Sequence, residues 1–276
     1  MSESLAPSVS PTIQWSPEAS VLIGVAAIAT LYLLGWRRAR ATRSPHRPGF
    51  GRLTLFALGL LAILAALVSP IDALGDQLLV MHMLQHILLL DISPILLILG
   101  LNKVLLRPVT RRLAVVEQRA GYLAHPAFAV VVYVGFMWGW HIPAMYDAAL
   151  HNTTVHAFEH LCFAFAGTLY WWHLLSPIRS RMRMDGLGPV AYMVVTKLGV
   201  GFLGIVLAFS PTVLYPFYAG HPHYWGLSPH TDQMMAGLLM ALEQSVVMGT
   251  ALAVVFVRML NESETEAQRA ERYEIA

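Results

Sequence analysis

The chain has 276 residues, of which 57% are hydrophobic and only 12% charged, with a formal net charge of +2. Soluble domains carry about 25% charged residues. This composition excludes an ordinary soluble domain and reads as a polytopic membrane protein. The single cysteine, Cys162, has no internal disulfide partner and lies in an apolar run, where a free thiol behaves as a small hydrophobe. The expected fold is all-α, a bundle of seven transmembrane helices. Residues 1–19 form an outer N-terminal segment, 20–258 the membrane domain and 259–276 a charged cytoplasmic tail.

Ser20 to Trp36 is the first apolar segment. No Lys or Arg occurs in the first twenty residues, so the basic region of a cleavable signal is missing and the helix reads as an uncleaved anchor. Six arginines follow between Arg37 and Arg52, which marks a cytoplasmic loop and puts the N-terminus outside. Leu53 to Val68 returns outward and Leu78 to Gly100 runs back in. The stretch Asn102 to Leu123, with Lys103 and four arginines, reads as an interfacial helix on the inner side. Pro126 to Trp140, Val155 to Leu175, Pro189 to Phe209 and Gln233 to Val257 complete the set. Seventeen of the eighteen basic residues fall in inner loops or the tail, the exception being Lys197 in the sixth helix. Trp138 to His141 and Trp171 to His173 read as interfacial aromatic belts.

Chemistry concentrates in the third and fifth helices. His82 and His86 are four residues apart, as are His156 and His160 with Glu159 beside them. That spacing stacks two imidazoles on one helix face, as two ligands of one metal require. Both pairs begin near the outer face, at a depth of roughly 5 to 12 Å at the helical rise. They read as four metal ligands meeting across a helix interface, with Glu159 orienting a ring. His141, Met81, Met83, Met235 and Asp232 read as accessory groups on the same side. Thioether with imidazole favours copper, as Cu(I), over hard cations. Haem is the rival cofactor, since histidines from two helices also serve as its axial ligands. The loop histidines 151, 221, 223 and 230 could collect metal before it moves inward.

A deeper constellation consists of Asp91, Lys197 and Glu243, each roughly 15 to 20 Å from the outer face. Ionisable groups are costly there, so the three are expected to form one intramembrane charge network. Its functional reading is a proton or metal-ion pathway, which makes a transporter the second hypothesis. A haem-binding electron carrier is the third. No nucleophile with its base, phosphate loop or nucleic-acid surface is legible, so the chain is not expected to be an enzyme.

These residues carry a resemblance. His82-Met83-Leu84-Gln85-His86 with the apolar run Pro94 to Gly100, Trp140-His141-Ile142-Pro143 with Tyr146-Asp147, His156 through His160, and Asp232-Gln233 leading into Ala236-Gly237-Leu238 resemble the CtaG-type cytochrome c oxidase assembly factors. The resemblance implies seven helices in a bacterial cytoplasmic membrane. It also implies a haem-copper oxidase subunit as partner, to which copper is delivered or whose assembly is assisted. The chain departs from that pattern at Asp91, Lys197 and Ala241-Leu242-Glu243-Gln244, which marks a subgroup with added intramembrane charge.

Overall fold

The computed structural model describes residues 8–42, 44–178, 180, 182 and 184–274. Residues 1–7 of the expected outer segment, and Arg43, Arg179, Arg181 and Arg183 of the expected inner loops, lie outside the described residues. Of the charged tail, the backbone alone is described over 265–274.

Thirteen helices follow in order among the described residues. The first half holds α1 (Ala19–Ala41), α2 (Phe50–Leu67), α3 (Pro70–Gly75), α4 (Leu79–Ile87), α5 (Ser93–Gly100), α6 (Lys103–Leu106) and α7 (Thr110–Ala120). The second holds α8 (Pro126–Trp140), α9 (Pro143–His151), α10 (Thr153–Leu175), α11 (Gly188–Phe209), α12 (Pro216–Ala219) and α13 (Pro229–Glu274). A π-turn, Leu88–Ile92, joins α4 to α5. There is no β-strand among the described residues, only an isolated bridge between Val9 and Tyr224.

Five stretches are long and apolar enough to cross a membrane: α1, α2, the run from α4 to α5, α11, and α13 as far as Asn261. A sixth arises if α7 and α8, bent by 64° at Gly121 to His125, form one span. Alone, the 15 residues of α8 rise about 22 Å, short of the roughly 30 Å of a hydrocarbon core. The remaining expected segment, the fifth, is α10, which has 23 residues but is not apolar enough, because it carries His156, Glu159, His160 and His173. Large side chains on the outside of the bundle, such as Leu31, Leu161 and Leu198, are about two-thirds exposed or more. Such surface would aggregate in water and is stable in lipid. The protein is a multi-pass membrane protein.

Sequence chemistry explains how the helices approach. Pro94 has no N–H to give the Leu90 carbonyl, so a continuous α-helix breaks there. The chain takes the wider turn instead, with the Ser93 N–H bonded to the Leu88 carbonyl. The Leu90 carbonyl then lies against Gly167 of α10, where any Cβ would overlap it. Gly204 and Ala208 of α11 similarly meet Gly237 and Ala241 of α13, a small-residue crossing typical of membrane helices. Of the other sixth-helix glycines, Gly199 packs on Val134 and Gly201 meets nothing.

The two ends differ. At one end Tyr32 stacks on Phe56 at 3.7 Å, Asn102 donates to the His46 carbonyl and Arg40 lies over the Trp36 and Phe50 rings. At the other, Gln77 exchanges hydrogen bonds with the Thr12 backbone. Tyr218 of α12 donates there to Gly75 at 2.6 Å.

Candidate metal centre

Two buried stripes converge beneath the Tyr218 end. On α4, Leu79, His82, Met83 and His86 face inward, and on α10 the same holds for Glu159, His160 and Phe163. Spacings of three and four residues place each set on one face. The first turn of α4 has no cap of its own; Asp232 of α13 supplies one, accepting from the Leu79 and Val80 amides at 2.6 and 3.0 Å. Gln85 ties the same helix to its neighbours by donating to the Ala66 carbonyl and to Asp72, both at 2.8 Å. Burial pushes the Asp72 carboxyl above its usual range, while hydrogen bonds from Ser16 and Gln85 pull it back.

The histidines meet. Ring centroids are 4.4 Å apart for His82 and His86, 4.2 Å for His156 and His160, and 5.1 Å for the stacked His82 and His156. Glu159 Oε1 lies 3.6 Å from His86 Nε2, and Oε2 lies 3.9 Å from His82 Nε2. His82, His86 and His160 can each offer one ligand atom within 4.8 Å of the others, and so can His82, His156 and Glu159. His82 and Glu159 are fully buried, while His156 is half-buried.

Their hydrogen bonding decides what this interior suits. Both nitrogens of His82 and of His86, the Nε2 atoms of His156 and His160, and both carboxylate oxygens of Glu159 find no hydrogen-bond partner among the described residues. Each such group costs about 1–3 kcal/mol when buried, and packed interiors satisfy nearly all of theirs. A convergent set of imidazole and carboxylate lone pairs fits a transition-metal ion.

His141, just past α8, is also buried. Its Nδ1 donates to the Met137 carbonyl at 2.6 Å and its Nε2 faces Met83 Sδ at 3.2 Å. Burial pushes its pKa down to about 4, so the ring is neutral at ordinary pH. Tyrosines roof the site: Tyr146 lies 5.1 Å from His82 and 4.1 Å from Tyr215, whose hydroxyl donates to the His141 carbonyl.

The remaining accessory residues separate. Met83 is fully buried beside His141, Met81 is half-buried, and Met235 is 39% exposed. The buried stripe of α13 runs through Asp232, Ala236, Met240, Gln244 and Met248, and Met235 lies about 100° to one side of Ala236. Asp232 is spent on capping α4. Among the loop histidines, His151 bonds the Asp147 carbonyl and His230 the Ser210 carbonyl, both in exposed positions. The ring of His221 packs against Phe217 and Tyr218.

The expected network of Asp91, Lys197 and Glu243 is corrected in one member. Asp91, on the π-turn, accepts from Tyr133 at 2.7 and 2.8 Å and from Trp171 at 2.6 Å. Gln244 donates to Glu243 at 2.9 Å and reaches Asp91 at 3.5 Å. Lys197 makes no ion pair among the described residues; Thr196 and Val200 occupy the buried face of α11, and Lys197 sits about 100° off it. Trp171 is therefore not part of an aromatic belt, whereas the partly exposed Trp138 fits that reading. Tyr133, Trp171 and Gln244 escaped the sequence reading because neutral donors leave no charge signature. Trp171 lies eleven residues after His160, hence on the same face, which was the available signal.

Comparison with known proteins decides the family. Residues 30–262 match the cytochrome c oxidase caa3 assembly factor family. The chain belongs to it. The CtaG-type resemblance read from the motifs is thereby established, and the histidine cluster lies wholly inside the matched region. An uncharacterised protein of Mycobacterium leprae is 23% identical over 241 residues, covering 79% of this chain. Uncharacterised proteins of Mycobacterium bovis and Mycobacterium tuberculosis are each 25% identical over 239 residues, covering 78%. The match covers 35% of each of these relatives, so the chain matches about a third of their length. No solved structure matches this caa3 assembly factor family member.

Proposed function

We propose that this assembly factor binds Cu(I) through His82, His86, His156 and His160, with Glu159 among them, and delivers it to a haem-copper oxidase subunit. The observation that carries the reading is the convergence of partnerless buried nitrogens and carboxylate oxygens from α4 and α10. Imidazole with nearby thioether selects copper over hard cations. Rings gathered around a point, rather than on two sides of a plane, favour an ion over haem. In this reading the protein crosses a bacterial cytoplasmic membrane seven times, with the N-terminus and the tyrosine-roofed site outside and the arginine-rich end inside.

Purified protein titrated with Cu(I) against a chromogenic chelator tests the reading. Wild type is expected to take a first equivalent in competition with the chelator. The variant carrying His82→Ala and His160→Ala is expected to lose it while melting as one folded species in detergent. Equal uptake by both proteins, or none by wild type, overturns the proposal.

A further inference from the structure

Below the histidines the interior does not close. A cavity of about 10 Å³ remains, lined among others by Met83, His86, Asp91, Met137, Met240 and Glu243. That is room for about one water-sized body. The three methionines come from α4, α8 and α13 and are each 4% exposed or less. Methionine in a helix interface normally bends to fill gaps. Here three methionines line a gap that stays open, and His86, whose two ring nitrogens have no hydrogen-bond partner among the described residues, lines it with them.

Of the lining residues, Met83 has a further polar contact, with His141. The Met137 carbonyl can only accept, so His141 Nδ1 carries a proton toward it, which turns Nε2 toward α4. It faces Met83 Sδ at 3.2 Å, and a thioether has no proton to give. Imidazole nitrogen and thioether sulfur thus stand side by side, a pair of soft-metal ligand types that one Cu(I) could share. On the opposite wall stands Asp91, which accepts from the neutral donors Tyr133, Trp171 and Gln244 and shares a hydrogen bond with Glu243. Its negative charge has no cationic partner among the described residues.

From this geometry we infer a second position for Cu(I), held by the Met83, Met137 and Met240 thioethers with His86 shared and His141 beside Met83. It rests on the copper reading above and adds to it a path: the ion passes from an imidazole-rich site to a thioether-rich one nearer the middle of the helix bundle. Asp91 and Glu243 share a hydrogen bond and therefore one proton, so the pair presents a single negative charge to the ion from the far wall without serving as ligands. Soft thioethers hold Cu(I) in preference to Cu(II) and Zn(II), so the inner position is selective for the reduced ion.

Copper K-edge absorption of the purified full chain tests this, at one and at two equivalents of Cu(I). Wild type is expected to bind a second equivalent and to gain sulfur scattering when it does. The double variant Met137→Leu and Met240→Leu keeps the apolar volume; it is expected to stop at the first equivalent, with nitrogen and oxygen scattering only. Wild type without sulfur scattering at any loading, or a double variant that loads like wild type, overturns the inference. The wild-type spectrum decides even if the variant fails to fold. Failure of the histidine reading looks different: the variant lacking His82 and His160 would then bind the first equivalent as wild type does.

Discussion

Asp232 accepts from two amides of the first turn of α4, so a single carboxylate on α13 fixes the start of the helix that carries His82 and His86. Hydrogen bonds to a charged acceptor, made where little water reaches, are the strong kind. Replacing Asp232 by Ala is expected to destabilise the protein by about 2 kcal/mol and to weaken Cu(I) uptake, because His82 is one turn from the freed amides. Asp232→Asn retains an acceptor oxygen and recovers part of the loss. Thermal unfolding in detergent measures the first effect and chelator competition the second; an unchanged melting temperature for Asp232→Ala overturns the capping role. The residue type alone pointed to an accessory group of the metal site, since a buried carboxylate near histidines reads the same whether it supports a metal or a helix end. His82, His86, His156 and His160 were legible because polar residues at four-residue spacing stand out in an apolar helix. Met240 and Lys197 were not. The lipid-facing and core-facing sides of a membrane helix are both apolar, so periodicity does not fix which way each side chain turns.

At the scale of elements, the site depends on how closely α10 can approach the π-turn. Pro94 creates the turn and frees the Leu90 carbonyl; Gly167 receives it, and a methyl group there would overlap the Leu90 backbone. Gly167→Ala is therefore expected to push α10 away from α4, at a cost of about 1–3 kcal/mol for overpacking. The histidine pairs would separate, so Cu(I) affinity falls together with stability. Gly135 of α8 is the control, because a methyl there meets nothing within 4 Å and Gly135→Ala is expected to be neutral. If Gly167→Ala melts and binds copper as wild type does, the close contact is not what brings the pairs together. Each expected segment overlaps a long helix of the structure, and Pro126 to Trp140 matches α8 to the residue. Hydropathy gave no sign of α9 and α12, short helices whose loops read as irregular. It also scores α10 as too polar to span, because the residues that build the site are those that lower its hydropathy.

For the molecule as a whole, the direction of the bundle determines where copper could enter. The tyrosine-roofed end carries Asp72, Asp76 and the loop histidines, whereas Arg37, Arg38, Arg40, Arg111, Arg112 and Arg119 lie at the other end or on α7. Translocating such a cluster of arginines is disfavoured, so the proposed topology keeps the arginine-rich end in the cytoplasm. The prediction uses cysteine labelling, and the background is favourable: Cys162 is the sole cysteine and is buried. Ala148 on α9 and Ala114 on α7 are both exposed, on opposite sides in this topology. In intact cells a membrane-impermeant maleimide is expected to label Ala148→Cys and to spare Ala114→Cys until the membrane is opened. The reverse pattern would put the histidine site against the cytoplasm and make the source of its copper internal. The expected pattern places the histidines within reach of copper arriving from outside, with the thioether cavity and the Asp91 cluster deeper in the bundle behind them.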